Sequence, residues 1–273
     1  MSIDKTNFHN RLNNIIADRG PLCVGLDPDV NLLPAGYDRS LAGLQSQMSD
    51  IIKATADLAA AYKLNTAFFE AFGSAGWDCI ETLLNEIRST SKALVIADAK
   101  RGDLKNTARF YAVTFFETFD FDAVTLQPYM GFDSLEPFLE WTDRGSIVLC
   151  LTSNQGSFDF QHHGNPPLFL KVAEQCESWN QGRNNMMLVV GATRDGDDMS
   201  RIRDVAPSLP FLVPGIGKQG GSLETVLSVC GRHLLINSSR GISTAAGHRS
   251  GLIEAARAEA ERIQAAVARY WND

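Results

Sequence analysis

Two aspartates and a lysine lie close together in the segment Val95–Asp103, which reads VIADAKRGD. Residues two apart on an extended strand share one face, so we expect Asp98 and Lys100 to point the same way. Asp103 follows Gly102, where the chain can turn. Neighbouring carboxylates keep an ammonium group charged, whereas burial alone favours its neutral form. A lysine in this setting is suited to general acid catalysis.

Two more charged residues interrupt apolar stretches. Lys63 lies within AAYKLNTAFFEAFG, and Asp27 lies at the end of the apolar run in CVGLDPD. Because an unpaired buried charge is costly, each needs a partner of opposite charge or access to water. We expect Asp27, Lys63, Asp98 and Lys100 to form an alternating array of acids and bases. A solvated salt-bridge cluster is the alternative, but the apolar residues before Asp98 favour a partly buried position.

Two glycine-containing segments near the C-terminus are suited to binding phosphate. PGIGKQGG (Pro214–Gly221) precedes a predicted helix, and INSSRGI (Ile236–Ile242) contains Arg240. Loops after the seventh and eighth strands of an α/β barrel often bind phosphate through backbone N–H groups. A glycine-rich turn alone is weak evidence, but Arg240 can add a bidentate pair with phosphate oxygens.

Short apolar segments alternate with amphipathic segments along the whole chain. Continuous apolarity predicts strands that are buried on both faces of a parallel sheet. The predicted strands are Leu22–Asp27, Tyr62–Phe69, Ala93–Asp98, Asp122–Gln127, Ser146–Leu151, Met187–Ala192, Pro210–Pro214 and Leu234–Ser238. The predicted helices include Thr6–Asp18, Leu41–Ala60, Asn106–Phe119, Leu168–Gln181 and Leu252–Tyr270. This alternation predicts a single (β/α)8 TIM barrel with an N-terminal helix over its N-terminal face.

The bulk composition favours one globular domain over residues 1–273, because an α/β barrel takes about 250 residues. The net charge of -7 and the lack of a Lys/Arg run argue against nucleic-acid binding. No apolar run approaches the ~18 residues of a membrane span, so we expect no membrane association. Five scattered cysteines and an N-terminus without an apolar signal core predict buried, reduced thiols in a cytoplasmic protein.

With these motifs in place, the chain resembles the orotidine 5′-phosphate decarboxylases in their longer bacterial form. The similar motifs cover nearly the whole chain: CVGLDPD, YKLNTAFFEAFG, DAKRGD, VTLQPYMGFDSLEPF, LTSNQG, VVGATR, VPGIGKQGG and SSRGI. The resemblance implies a barrel that converts orotidine 5′-phosphate into UMP and CO2, the last step of de novo UMP biosynthesis. It also implies a homodimer that needs neither a cofactor nor a metal.

The resemblance further implies a role for each matching residue. Lys100 corresponds to the proton donor, Asp98 to the carboxylate that faces the substrate's own carboxylate, and Asp103 to an aspartate that reaches the partner's site. The resemblance also implies that Lys63 completes the charged array, Asp27 binds the ribose, and Thr107 lies one turn after Asp103. Ser153 corresponds to a residue that contacts the pyrimidine, and Gln219 and Arg240 correspond to the phosphate-binding pair. LTSNQG differs from the loop of shorter family members, so Thr152 stays an alternative to Ser153. The long loop Asn31–Gln47 has no implied role.

Two other functions remain open from the residues. A magnesium-dependent sugar-phosphate decarboxylase or aldolase of a related barrel family shares the Asp-x-Lys pattern of the third strand. Such enzymes carry a carboxylate ligand on the second strand, where this chain has Lys63, and a lysine opposes a metal site. A non-catalytic nucleotide-binding barrel would need no complete acid–base array.

Overall fold

The computed structural model of the protein describes residues 7–192, 196–216 and 222–272. These residues contain eight strands that pair in chain order as a closed parallel barrel, which confirms the expected (β/α)8 fold. The strands are β1 (Leu22–Leu26), β2 (Ala61–Asn65), β3 (Leu94–Arg101), β4 (Ala123–Leu126), β5 (Gly145–Leu151), β6 (Met186–Val190), β7 (Phe211–Pro214) and β8 (Leu234–Ser238).

Helices connect the strands, and a helix precedes the first one as expected. The α-helices are α1 (Phe8–Arg19), α2 (Leu41–Thr55), α3 (Thr66–Glu70), α4 (Ser74–Thr90), α5 (Lys105–Val113), α6 (Phe132–Leu139), α7 (Ser157–Phe160), α8 (Leu168–Asn180), α9 (Asp197–Val205), α10 (Leu223–Cys230), α11 (Arg240–Ser243) and α12 (Arg249–Asn272). A 3-10 helix covers Val30–Leu32, and a π-helix, Thr114–Thr118, continues α5.

The chain divides into two compact units. One consists of Met1–Asn14 with Lys100–Ile236, and the other of Ile15–Ala99 with Asn237–Asp273. In the second unit, β1 and β2 pair in parallel with Cys23 beside Ala61, and β2 pairs with β3 so that Asn65 lies beside Asp98. The expectation of one domain over residues 1–273 stays a prediction.

The first residues of α1 pack at the amino ends of strands in the first unit. The backbone N–H of Phe8 donates to the carbonyl of Thr142, and the His9 ring lies 2.6 Å from the carbonyl oxygen of Met186. The Arg11 guanidinium donates to the carboxylate of Asp122, which is almost fully buried. These contacts agree with the expected position of an N-terminal helix at this face.

Several predicted boundaries are wrong, including the end of the third strand, which continues beyond the predicted Asp98 to Arg101. The predicted second strand, Tyr62–Phe69, ends at Asn65, because the Asn65 side chain accepts a hydrogen bond from the N–H of Ala67 and starts α3. The predicted helix Leu41–Ala60 ends at Thr55. The predicted helix Asn106–Phe119 changes from α to π geometry after Val113.

Strands and helices both contribute buried apolar side chains to the core, and β1, β4 and β6 are buried at every residue. All five cysteines are free and buried, as the sequence predicts: Cys23, Cys79, Cys150, Cys176 and Cys230. Within the described ranges, no helix combines the length and the apolar composition needed to cross a membrane.

Candidate active site

Lys63 is the centre of an ion-pair network at the carboxyl ends of β1, β2 and β3. Its ammonium group donates a hydrogen bond of 2.8 Å to Asp98 and lies 3.8 Å from an oxygen of Asp27. The Lys63 side chain is only 6% exposed, so the two carboxylates supply the counter-charge that a buried lysine requires. The structure therefore brings together Asp27, Lys63 and Asp98 of the predicted array.

The environment of Lys63 favours its charged form. Burial is the largest single influence and lowers the pKa of Lys63, but Asp27 and Asp98 together raise that pKa above its ordinary value. Beneath this network, burial raises the pKa of the Cys23 thiol to about 12, so this cysteine is a neutral core residue. A fixed ammonium between two carboxylates gives this end of the barrel a permanent electrostatic field.

Asp27 has one oxygen that is ready to accept a hydrogen bond. Its Oδ1 atom is buried and accepts no hydrogen bond among the described residues, although it lies within ion-pair distance of Lys63. A buried acceptor without a donor is uncommon in folded proteins and costs about 1–3 kcal/mol. A hydroxyl group of a bound ligand could supply the donor.

Lys100 occupies an unusual backbone conformation near the end of β3. Its φ angle is +47°, in the left-handed region that non-glycine residues rarely adopt. Its N–H donates to the hydroxyl of Thr125 on β4 at 2.9 Å, which holds the backbone in place. The positive φ interrupts the extended geometry on which the same-face expectation for Asp98 and Lys100 depends. Lys100 is exposed, unlike Lys63.

The segment after β3 presents apolar side chains to solvent. Leu104, Thr107 and Phe110 are spaced three apart, so they share one face around the start of α5, and all three are exposed. The exposed fractions of Leu104 and Phe110 are 64% and 61%. Asp103 lies directly before this stripe and is partly buried. Leu104 and Phe110 are thus two large apolar side chains exposed on the same face, beside the polar Thr107.

A side chain that the sequence did not single out, Gln161, organises the loop after β5. Its amide oxygen accepts from the backbone N–H of Thr152 at 2.8 Å, and its amide nitrogen donates to the Thr152 hydroxyl, also at 2.8 Å. That hydroxyl also lies 2.6 Å from the Asn154 amide oxygen. The Thr152 hydroxyl is therefore used within the loop, which favours Ser153 for a ligand contact.

Close backbone packing fixes the position of Ser153. A Cβ atom at Gly191, just after β6, would lie 2.8 Å from the backbone nitrogen of Ser153. Only glycine permits this approach between the two loops. Nothing in a single sequence indicates that Gln161, eight residues beyond Ser153, belongs to the same loop structure.

Arg240 lies at the start of α11, directly after β8, and is exposed. The end of β8 packs closely on β1, because a Cβ atom at Gly25 would lie 2.6 Å from the Cβ of Ser239. The predicted phosphate partner Gln219 lies outside the described residues. Arg240, the second predicted phosphate-binding residue, lies just after the eighth strand, as expected.

A closed parallel barrel with charged side chains at the carboxyl ends of its strands is the architecture of a (β/α)8-barrel enzyme. A family model described as "Orotidine 5′-phosphate decarboxylase / HUMPS family" matches residues 20–254. The chain belongs to this family, which confirms the resemblance inferred from the motifs.

Individual relatives support the same assignment. The chain is 46% identical over 249 residues to the orotidine 5′-phosphate decarboxylase of Herpetosiphon aurantiacus, covering 90% of this chain and 91% of that protein. It is similar to the structure of Leishmania donovani OMP decarboxylase, with a TM-score of 0.82, 39% identity and coverage of 96% and 99%. It also matches Leishmania donovani UMP synthase at a TM-score of 0.83 and 41% identity, covering 95% of this chain and 56% of that one.

Proposed function

We propose that this protein converts orotidine 5′-phosphate into UMP and CO2, with Lys100 donating the proton that replaces the lost carboxylate. The observation that carries the proposal is the ion-pair network of Lys63 with Asp98 and Asp27, on a chain that belongs to the decarboxylase family. Lys100 follows Asp98 by two residues on β3, and the carboxyl ends of barrel strands build active sites.

The chemistry balances without a cofactor. The bond between C6 of the pyrimidine and its carboxylate breaks, CO2 leaves, and the electron pair remains on C6. The Lys100 ammonium stabilises that negative charge and transfers a proton to C6, giving UMP. Lys100 then recovers a proton from solvent.

Asp98 and Lys63 act as a fixed pair in this mechanism. Lys63 holds Asp98 in one position through their 2.8 Å hydrogen bond and stabilises its negative charge. Asp98 then faces the substrate's carboxylate and raises the energy of the bound ground state by like-charge repulsion. Asp27, through its buried oxygen, accepts a hydrogen bond from the ribose.

The remaining predicted residues bind the two ends of the substrate. Ser153 contacts the pyrimidine, while Gln219 and Arg240 bind the phosphate. Phosphate contacts far from C6 supply binding energy that positions the ring for the reaction. Support for Ser153 over Thr152 comes from the Thr152 hydroxyl, which already binds Gln161 and Asn154.

Lys63 also distinguishes this proposal from a magnesium-dependent reaction. Its ammonium already occupies the position between Asp27 and Asp98 where a cation would bind two carboxylates. Purified protein should therefore decarboxylate orotidine 5′-phosphate in excess EDTA. The loss of substrate absorbance measures this reaction. Activity that requires added Mg²⁺ would contradict the proposal.

The Lys100→Met variant tests the proton donor. It keeps the length of the side chain but removes the ammonium, so we expect turnover to fall by at least about 10³-fold. UMP binding, measured by calorimetry, should persist and shows that the site is intact. Near-normal turnover in this variant would exclude Lys100 as the donor. UMP binding by the wild type without CO2 release would favour a non-catalytic barrel.

We also propose that the protein is a homodimer in which Asp103 and Thr107 serve the neighbouring subunit's site. The exposed stripe of Leu104, Thr107 and Phe110 beside Asp103 supports this arrangement. The five buried free cysteines are consistent with our further proposal of a cytoplasmic location, which fractionation of cells would test.

Subunit mixing tests the exchange of Asp103. Lys100→Met and Asp103→Asn homodimers should each be inactive, but a hybrid dimer combines an intact Lys100 with the partner's intact Asp103 at one site. Random reassortment should restore about a quarter of wild-type activity, because half of the dimers are hybrids with one intact site each. No recovery after mixing, with hybrids verified by mass, would show that Asp103 serves its own subunit or none.

A further inference from the structure

The segment between β1 and the end of α2 makes a connected set of contacts with the residues that follow α11. We call residues 35–50 the brace. Its first contact is between backbones: the N–H of Ala35 donates to the carbonyl of Gly247 at 3.0 Å, and the N–H of Arg249 donates to the carbonyl of Ala35 at 2.8 Å. These bonds close a bridge between Ala35 and His248.

A buried polar cluster continues this contact. The Tyr37 hydroxyl donates to Asp50 at 2.8 Å, and the Arg249 Nε atom lies 3.3 Å from the same carboxylate oxygen. The Arg249 guanidinium also lies over the Tyr37 ring, 4.8 Å from its centroid. Tyr37 and Asp50 are both buried, so this cluster joins the brace to the start of α12 as a rigid packing unit.

The brace then reaches α11 itself through Gln47. The side-chain amide of Gln47 donates to the carbonyl of Ser243 at 2.9 Å, and both residues are buried. Ser243 is the last residue of α11, where backbone carbonyls lack partners within the helix. Gln47 therefore caps the four-residue helix that begins with Arg240.

We infer that the brace fixes the orientation of α11 and thereby positions Arg240 for the substrate's phosphate, with Gln47 as its principal positioning residue. This inference rests on the proposed function, because it assigns Arg240 to the phosphate. A four-residue helix has little intrinsic stability, so its orientation depends on contacts of this kind. The inference gives the long loop after β1 a role that the sequence did not indicate.

The Gln47→Met variant tests the inference, because methionine has a similar shape but cannot donate to Ser243. We expect kcat/KM for orotidine 5′-phosphate to fall about fivefold, the factor for one hydrogen bond of about 1 kcal/mol. With orotidine, which lacks the phosphate, kcat/KM should change by less than about twofold, because no phosphate contact exists to lose. Ser46→Ala is the matched control, since Ser46 is a partly buried residue of the same helix whose hydroxyl donates to the carbonyl of Ala42 within that helix.

Tyr37→Phe supplies a second variant that removes only a hydroxyl from the brace, and it should show the same selective loss. A double-mutant cycle with Arg240→Ala is decisive: Gln47→Met should have no further effect when the arginine is absent. Equal losses with both substrates, or a full Gln47→Met effect in the Arg240→Ala background, would overturn the inference.

UMP affinity separates this inference from the proposed function. A wild-type protein that binds UMP but releases no CO2 from orotidine 5′-phosphate refutes the proposed reaction and leaves the role of the brace measurable. Calorimetry should then still show about fivefold weaker UMP binding in Gln47→Met. Unchanged UMP affinity in that variant refutes the brace, whatever the protein's turnover.

Discussion

Replacing Lys63 by methionine would remove the positive charge that neutralises Asp27 and Asp98 while keeping much of the side-chain volume. In the wild type, Lys63 lies 2.8 Å from Asp98 and 3.8 Å from Asp27, and its side chain is 6% exposed. The side chains of Asp98 and Asp27 are 13% and 22% exposed, so water can replace little of the lost interaction. The substitution therefore leaves two carboxylates close together in a poorly hydrated site.

The distances set the size of the effect. At an effective dielectric of about 20, these separations correspond to attractions of about 6 and about 4 kcal/mol. The cost of removing the ammonium from water offsets much of this attraction in the wild type. Removing one partner of a buried ion pair typically destabilises a protein by about 3–5 kcal/mol, and we expect a loss of this size at pH 8.

The loss should depend on pH. Without Lys63, the folded protein relieves the repulsion by binding a proton on the carboxylate pair more readily than the unfolded chain does. Stabilisation from that proton is present at low pH and disappears as the pH rises. The difference in unfolding free energy between Lys63→Met and wild type should therefore shrink by about 1–2 kcal/mol between pH 8 and pH 5.

Urea unfolding at both pH values, followed by circular dichroism, measures this difference. Lys53→Met is the matched control, because Lys53 forms a lysine–aspartate pair with Asp50 at 3.6 Å but is 60% exposed. An exposed pair contributes about 0–1 kcal/mol, so the control should lose little stability at either pH. If Lys63→Met lost no more stability than Lys53→Met, or the same amount at both pH values, the reasoning about the buried network would be wrong.

Three further predictions concern the first compact unit. Burial lowers the pKa of His9 from its ordinary value of 6.5, so the folded state resists its protonation and stability should fall as the pH drops below about 6.5. His9→Gln should flatten the dependence of the urea midpoint on pH between 8 and 5. Arg11→Met should lower the free energy of unfolding by about 2–4 kcal/mol, because Asp122 is buried, with unchanged turnover per folded molecule. Gln161→Met should reduce kcat/KM for orotidine 5′-phosphate by about tenfold through its two hydrogen bonds to Thr152, with little change in Tm.

The strands of this barrel could be predicted because their apolar runs leave few alternatives. β1, β4, β5, β7 and β8 begin and end within one residue of the predicted limits. The predicted end of the second strand was wrong because an apolar run such as AFFEAF is compatible with a strand and with a short helix. Only the Asn65 side chain, which caps α3, decides between the two, and that contact is local and polar.

Charge in an apolar context was the most informative signal for the site. Lys63 could be identified from the sequence because a lysine in a buried strand needs a carboxylate partner. In the structure it lies between Asp27 and Asp98, the two acids that the sequence predicts as its partners. Gln47 and Gln161 could not be predicted in the same way, because a neutral amide in a polar segment does not need a partner of opposite charge. Their importance comes from tertiary contacts with Ser243 and Thr152, which sequence spacing does not reveal.

The backbone of Lys100 shows why residue type and spacing cannot define a catalytic geometry alone. The alternation rule for a strand holds only while φ stays extended, and Lys100 has a φ of +47°. A left-handed backbone conformation at a lysine is unfavourable by about 1–3 kcal/mol, and contacts with the surrounding structure must offset this cost. One such contact is the hydrogen bond from the Lys100 N–H to the Thr125 hydroxyl. Lys63 is buried and held by two carboxylates, whereas Lys100 is exposed on a backbone fixed from β4. The difference in burial between the two lysines agrees with the roles proposed above, a fixed charge for Lys63 and proton donation for Lys100.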